Sequence, residues 1–104
     1  MRIVEYLDES DASPFARWFD RLDAQAAAKV TSALTRMAVG NLSNVKGVGS
    51  GVLEYRIDFG PGYRIYFGRF GEELIVLLAG GTKSRQQHDI DTAQARWSDY
   101  KRRR

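Results

Sequence analysis

The sequence predicts an α+β fold with the element order β-α-α-β-β-β-α. Residues 52–83 contain three consecutive runs of strand character separated by glycine-rich turns. Two helical patterns, each with its own capping residue, precede these runs, and a third helical pattern follows them. From these observations we expect a small antiparallel sheet packed against a two-helix hairpin, with the last helix at the C-terminus.

The N-terminal part of the chain supplies one strand and two helices. Residues 3–7 (IVEYL) predict a short first strand. Ser13-Pro14 marks a helix start, because serine caps free backbone amides and proline fits the first helical position. Asp23 is the expected cap of a second helix that runs to Ala38. The side chains with helical spacing are assigned to the core, namely Phe15, Trp18, Phe19, Leu22, Val30, Leu34 and Met37.

The three central runs differ in pattern. In residues 53–59 apolar and polar side chains alternate, which is typical of a strand with one buried face, and Arg56 lies on the polar face. After the Gly60-Pro61-Gly62 turn, Arg64 and Tyr66 occupy the polar positions of the second run. The third run, Leu74 to Ala79, is apolar throughout, as in a strand covered on both faces. We therefore expect Arg56 and Arg64 on one face of neighbouring strands, with Tyr66 and no acid beside Arg64.

Two further segments connect these elements to the rest of the chain. Residues 40–51 (GNLSNVKGVGSG) predict a flexible loop whose only charge is Lys46. Residues 84–89 predict a polar connection, and a last helix follows from about Asp89 with an apolar stripe and a basic end.

Composition and charge exclude several classes of protein. A chain of 104 residues indicates one domain spanning 1–104. With no cysteine and one histidine, we expect no disulfide, no metal site and no cofactor. No segment resembles a signal peptide or a bilayer span, so we expect a cytoplasmic protein. Residues 41–104 hold eleven basic and seven acidic side chains, whereas residues 1–40 hold five and six, which favours a nucleic acid or an acidic protein as partner.

Two motifs carry a resemblance to a known family. LEYRIDFGPGYRIYF (53–67) and LLAGGTKSRQQHDI (77–90), with the preceding KGVG, resemble the RelE/ParE toxin superfamily and most closely its phage-derived, HigB-like branch of addiction-module killer proteins. The resemblance covers essentially the whole chain, with two small departures at Tyr55 and His88. It implies a RelE-like fold and a toxin that halts growth and is neutralised by a small antitoxin.

The resemblance leaves the target open between two classes. In the RelE and HigB branches the toxin is an endoribonuclease that cuts mRNA, usually in the ribosomal A site, whereas ParE toxins poison DNA gyrase. It thus implies a metal-independent mRNA interferase of a type II toxin-antitoxin system, with a gyrase inhibitor or a degenerate antitoxin-binding module as alternatives. The implied partners are a helix-turn-helix antitoxin, mRNA and the ribosome, with operator DNA reached only through the antitoxin complex and no membrane.

The chemistry of RNA cleavage points to particular side chains. Without a metal, the 2′-hydroxyl attacks the phosphate, so the enzyme must align it, stabilise the added charge and move two protons. Arginine binds phosphate oxygens through its planar fork, and tyrosine can stack on a base or orient a hydroxyl. Proton transfer would fall to a lysine, to the histidine or to the ribosome. The catalytic candidates are Arg56, Arg64, Lys83, Tyr66 and His88, and the RNA-binding candidates are Lys46, Arg85 and Gln87.

Overall fold

A computed structural model describes residues 1–103 and contains the predicted elements in the predicted order, with one additional strand. The strands are β1 (Arg2–Glu5), β2 (Val45–Gly47), β3 (Val52–Ile57), β4 (Tyr63–Phe70) and β5 (Leu74–Thr82). The helices are α1 (Pro14–Asp20), α2 (Ala24–Ala38) and α3 (Gln86–Arg103), and a 3-10 turn at Lys83–Arg85 precedes α3. The α+β class is confirmed.

The five strands form one sheet in the order β1-β5-β4-β3-β2. The antiparallel pairs β3–β4 and β4–β5 are as predicted, whereas the antiparallel pair β2–β3 was not predicted, and β1 pairs with β5 in parallel. A parallel pair needs a long connection rather than a hairpin turn, and most of the chain lies between β1 and β5. β1 pairs only with Leu74–Leu77, so the C-terminal part of β5 extends beyond it.

Helices cover both faces of this sheet. α1 and α2 pack on one face, where Phe15 and Met37 contact a core that includes Phe67. α3 packs on the other face, where Trp97 belongs to a core with Tyr66. Part of the polar face predicted for β3 and β4 therefore lies beneath α3. Within residues 1–103, none of the helices has both the length and the apolar character that crossing a membrane requires.

The two predicted helix caps are confirmed. Ser13 Oγ accepts a hydrogen bond from the Ala16 amide at 3.0 Å, and Pro14 is the first residue of α1. Asp23 Oδ1 accepts from the Ala26 amide at 2.9 Å at the start of α2. Both side chains satisfy amides that have no partner inside the helix.

The segment at residues 40–51 is not the flexible loop that we predicted. Val45–Gly47 forms the edge strand β2 and pairs with β3. The turn that follows is held by α3, because Gln94 Nε2 donates to the carbonyl of Val48 at 3.0 Å. A strand of three residues is too short to show a period in the sequence, which is why the prediction failed.

The connection before the last helix is also shorter than predicted. β5 continues through Gly80 and Gly81, and α3 begins at Gln86 rather than near Asp89. These two strand positions require glycine because side chains of neighbouring helices approach the backbone of β5 closely. A Cβ at Gly80 would lie 2.1 Å from the Trp18 ring, and a Cβ at Gly81 would lie 1.9 Å from Asp89 Oδ2.

The end of α3 is attached to the segment that follows β1. The Tyr6 hydroxyl donates to Asp99 Oδ2 at 2.6 Å, and Arg103 Nη2 donates to the carbonyl of Leu7 at 2.7 Å. The hydrogen bond from Tyr6, followed by the contacts of Arg103, holds the pKa of Asp99 below its usual value. These contacts fix α3 across the sheet at its C-terminal end.

Replacing Gly80 with alanine is expected to destabilise the protein by about 1–3 kcal/mol, because the new methyl group would collide with the Trp18 ring. Gly47→Ala is the matched control, since a Cβ there meets no atom within 4 Å among the described residues. Urea denaturation followed by circular dichroism measures both variants. Equal stability of the two variants would contradict the packing of Trp18 on β5.

Candidate functional site

Arg56 and Arg64 lie directly opposite each other on β3 and β4. Paired residues of neighbouring strands extend from the same face of a sheet, so both arginine side chains extend from the face that α3 partly covers. Their environments differ, because Arg56 is exposed whereas Arg64 is only 5% exposed. The two arginines are therefore not equivalent candidates for binding a phosphate.

A buried carboxylate lies beside Arg64. Glu54 pairs with Tyr66 in the strand register, and its side chain has no exposed surface. Glu54 Oε2 lies 3.6 Å from Arg64 Nε and accepts a hydrogen bond from Gln86 Nε2 at 2.9 Å. Glu54 Oε1 lies 3.8 Å from Lys46 Nζ. The prediction that Arg64 has no acid on its face is wrong, because the hairpin register places Glu54 diagonally across from it.

Arg64 also binds the turn between β3 and β4. Its Nη1 donates to the carbonyl of Gly62 at 2.7 Å. Gly62 has a φ of 80°, and a Cβ there would lie 3.1 Å from Arg64 Nη1 and 3.7 Å from the Cβ of Lys83. Lys83 is exposed, and its position beside the same Gly62 turn places it next to the buried arginine.

Side chains of β2, β3 and the segments next to them line a cavity of about 490 Å³, here called the central cavity. Its charged lining consists of Lys46, Arg56, Glu54 and Asp58. Arg56 also lines an adjoining cavity of about 180 Å³, together with Lys29 and Arg36 of α2. Across residues 1–103, no group of three or more histidine, cysteine, aspartate or glutamate side chains is placed to hold a metal ion.

Tyr66 lies behind the central cavity and is fully buried beneath α3. Burial, and then the neighbouring Glu54 carboxylate, raise the pKa of the Tyr66 hydroxyl above its usual value. Within residues 1–103, this hydroxyl, Glu54 Oε1 and Arg64 Nε have no hydrogen-bond partner of good geometry. A ring without exposed surface cannot stack on a base, so this structure does not support the stacking role predicted for Tyr66.

The remaining candidates lie outside the central cavity. Arg85 and His88 line a groove of about 340 Å³ between α1, the end of β5 and α3, here called the edge groove. Gln87 is exposed and donates from Nε2 to Asp91 Oδ1 at 2.9 Å on the same helix. The structure thus gathers Lys46 and Arg56, with Arg64, Tyr66 and Lys83 adjoining, but it places Arg85, His88 and Gln87 elsewhere. His88 does not line the cavity that holds Arg56.

Two groups in the edge groove are affected by partial burial. Burial raises the pKa of the Asp89 carboxyl, and this effect exceeds the opposite effect of Arg85, His88 and Arg96. Burial likewise lowers the pKa of Arg96, which donates from Nη1 to the carbonyl of Leu78 at 2.8 Å. Both groups therefore lie in a partly desolvated site, which disfavours their charged forms.

Glu54 was not among the predicted site residues, although the position of the turn between β3 and β4 was enough to infer that Glu54 lies near Arg64. A hairpin centred on Gly60 pairs Arg56 with Arg64, and the same register pairs Glu54 with Tyr66. For the site residues that other elements supply, the sequence contains no comparable information, because their positions depend on tertiary packing. These residues are Lys29 and Arg36 of α2, Gln86 of α3, and Arg17, Arg21 and Arg96 of the edge groove.

Comparison with known proteins gives two similarities. The family model described as phage-derived protein Gp49-like matches residues 17–98. A relative from Haemophilus influenzae, described as an uncharacterized protein, is 40% identical over 81 residues, which cover 77% of this chain and 82% of the relative. The span matched by the family model includes the lining of the central cavity and the four arginines of the edge groove.

Arg64→Ala is expected to destabilise the protein by about 3–5 kcal/mol, because it leaves the Glu54 carboxylate buried without its nearest cation. Arg69→Ala on the same strand is the matched control, since Arg69 is exposed. Chemical denaturation at neutral pH measures the difference. A loss no larger than that of Arg69→Ala would mean that Arg64 does not stabilise Glu54.

Asp89→Asn is expected to stabilise the protein at pH 7 and to have no such effect in strong acid. The raised pKa means that the ionised carboxylate destabilises the folded state, and this destabilisation disappears as the pH falls through the folded pKa. Urea denaturation at pH 7 and below about pH 3.9, the ordinary range of aspartate, measures the effect. Asp91→Asn, exposed on the same helix, is the control. A wild type that is the more stable protein at pH 7 would contradict this assignment.

Proposed function

Because the chain belongs to the Gp49-like family of phage-derived proteins, a family of the RelE-like toxin group, we propose that it is the toxin of a type II toxin-antitoxin pair. We further propose that it acts as a HigB-like endoribonuclease on mRNA. Family membership supports only the toxin-like character. The nuclease proposal is supported by one observation, the position of Arg56 and Lys46 around the Glu54 carboxylate in the central cavity.

In this proposal, Arg56 and Lys46 bind the phosphate that is cleaved. Both are exposed and line the central cavity, and Arg56 extends toward Lys29 and Arg36 in the adjoining cavity. These four cations line two cavities that share Arg56 and Asp58, and several cations close together suit the repeated charges of an RNA backbone. The guanidinium of Arg56 would stabilise the charge that develops on the phosphate oxygens during the reaction.

Glu54 is the proposed proton acceptor. Its Oε1 has no hydrogen-bond partner of good geometry within residues 1–103, and displacement of the exposed Lys46 side chain would open it to the cavity. Glu54 would take the proton of the 2′-hydroxyl as the 2′-oxygen bonds to phosphorus. The bond from phosphorus to the 5′-oxygen then breaks, and Lys46 donates a proton to that oxygen. The products would be a 2′,3′-cyclic phosphate and a free 5′-hydroxyl.

Arg64 has a different role in this proposal from the one expected at first. It is buried, it donates to the carbonyl of Gly62, and its Nε faces Glu54. It would therefore act as a positioning residue for the carboxylate rather than as a phosphate ligand. Lys83, exposed beside the Gly62 turn, would extend the RNA-binding surface at the end of β5.

The enclosure of Glu54 favours one alternative function. A carboxylate without exposed surface, close to Arg64 and Lys46, also serves as a structural ion-pair group that meets no substrate. In that case the cationic surface would bind a protein target such as DNA gyrase, as in ParE toxins. Under either function, a helix-turn-helix antitoxin would neutralise the chain and connect it to operator DNA, and the nuclease would work on the ribosome.

The test uses the purified protein in a translation extract, with the ends of the mRNA mapped. Arg56→Ala is expected to reduce the cleavage rate by about 100- to 1,000-fold, because one charge-stabilising group is lost. Lys46→Ala is expected to reduce it as well. Arg2→Ala, exposed on β1, is the matched control and should cleave like the wild type. Circular dichroism verifies that all variants are folded.

Two results would overturn the nuclease proposal. One is intact mRNA in an extract that the protein inhibits, and the other is undiminished cleavage by Arg56→Ala. A parallel supercoiling assay with purified gyrase tests the alternative, since inhibition of supercoiling without RNA cuts would favour it. Repeating the cleavage assay with mRNA alone tests whether the ribosome is needed.

A further inference from the structure

The C-terminal part of β5 has an open edge. Pairing with β1 ends at Leu77, whose carbonyl accepts from the Tyr6 amide at 2.9 Å. From Ala79 to Thr82, β5 pairs with β4 on one side, and no strand within residues 1–103 pairs with it on the other. A strand edge presents unpaired amides and carbonyls, which another extended chain can bind.

Two helices convert this edge into a slot. Trp18 of α1 packs against Gly80 on one face of the strand, and Asp89 of α3 packs against Gly81 on the other. Because both faces are covered, only the edge of β5 opens into the edge groove of about 340 Å³. A slot of this form suits a single extended chain rather than a helix or a duplex.

The walls of the slot are strongly cationic. Arg17 and Arg21 come from α1, and Arg85 and Arg96 come from the segment after β5. Four arginines and one aspartate line the groove, so its net charge with neutral His88 is +3, equal to the net charge of the whole chain. Within residues 1–103, only Arg17 among these arginines forms an ion pair, with Asp8 at 3.4 Å. The other three carry charge that a partner's carboxylates would complement.

We propose that the edge groove binds an extended acidic segment of a partner protein, which adds as a strand to β5 between Ala79 and Thr82. A peptide supplies both amide donors and carbonyl acceptors to the strand edge, whereas the phosphodiester backbone of RNA has no amide donor. The proposal depends on the proposed function only in identifying the partner as the antitoxin. The binding itself requires no RNA cleavage.

The experiment uses the full chain and a fluorescein-labelled synthetic peptide of alternating glutamate and valine, about ten residues long. Fluorescence anisotropy measures binding at about 50 mM salt, where charge contacts are only partly screened. Arg21→Glu is expected to weaken binding by at least about tenfold. Arg69→Glu, which introduces the same charge change on an exposed residue of β4, should bind the peptide like the wild type.

A second peptide separates strand pairing from charge attraction. It has the same sequence and charge, but N-methylation of its valines removes their amide donors. We expect it to bind at least about tenfold more weakly, and we expect the unmodified peptide to shift the amide resonances of Gly80, Gly81 and Thr82. Equal binding of the two peptides would overturn strand addition.

Two other outcomes would also overturn the proposal. Absence of peptide binding would mean that the arginines only protect a strand edge from unwanted pairing. Tighter binding of a single-stranded oligouridylate of similar length, weakened by Arg21→Glu, would identify the groove as a nucleic-acid site. Because none of these measurements involves mRNA cleavage, a failure here and a failure of the nuclease proposal are distinguishable.

Discussion

The Glu54 carboxylate connects four elements of the structure. It is part of β3, and it faces Arg64 of β4, Lys46 of β2 and Gln86 of α3. A buried charge is tolerated only where cations and hydrogen-bond donors compensate it, so these elements must assemble around it together. The cationic face of the sheet is thus built around an anion. The net charge of this face is smaller than its number of arginines and lysines suggests, and the exposed part of that charge lies on Arg56 and its neighbours.

Much of the fold could be predicted because local physics determines it. Ser13 and Asp23 cap their helices as expected, and the alternation of residues in β3 and β4 placed both strands correctly. The failures have physical causes. β2 is too short for its periodicity to be visible. β5 continues through Gly80 and Gly81, although glycines usually end a strand. Only glycine fits at these two positions, because Trp18 and Asp89 occupy the space that a larger side chain would need.

The candidate site was predictable in part. Alternation and a tight turn are enough to place Arg56 and Arg64 on one face, and the structure has them there. Neither feature reveals which face a distant helix covers, so the burial of Tyr66 under α3 and of Arg64 beside Glu54 was not expected. The edge groove is harder to predict from the sequence, because its arginines come from opposite ends of the chain and meet only after α1 and α3 pack beside β5.

The attachment of α3 to the segment after β1 affects the order in which the parts of the site form during folding. Tyr6 and Asp99 are 93 residues apart in the sequence, and Leu7 and Arg103 are 96 residues apart. Contacts between such distant residues cost more loop-closure entropy than the hairpin of β3 and β4, so we expect this hairpin to form before α3 is attached. The hydrogen bond from Gln86 of α3 to Glu54 would then be among the last contacts of the site to form.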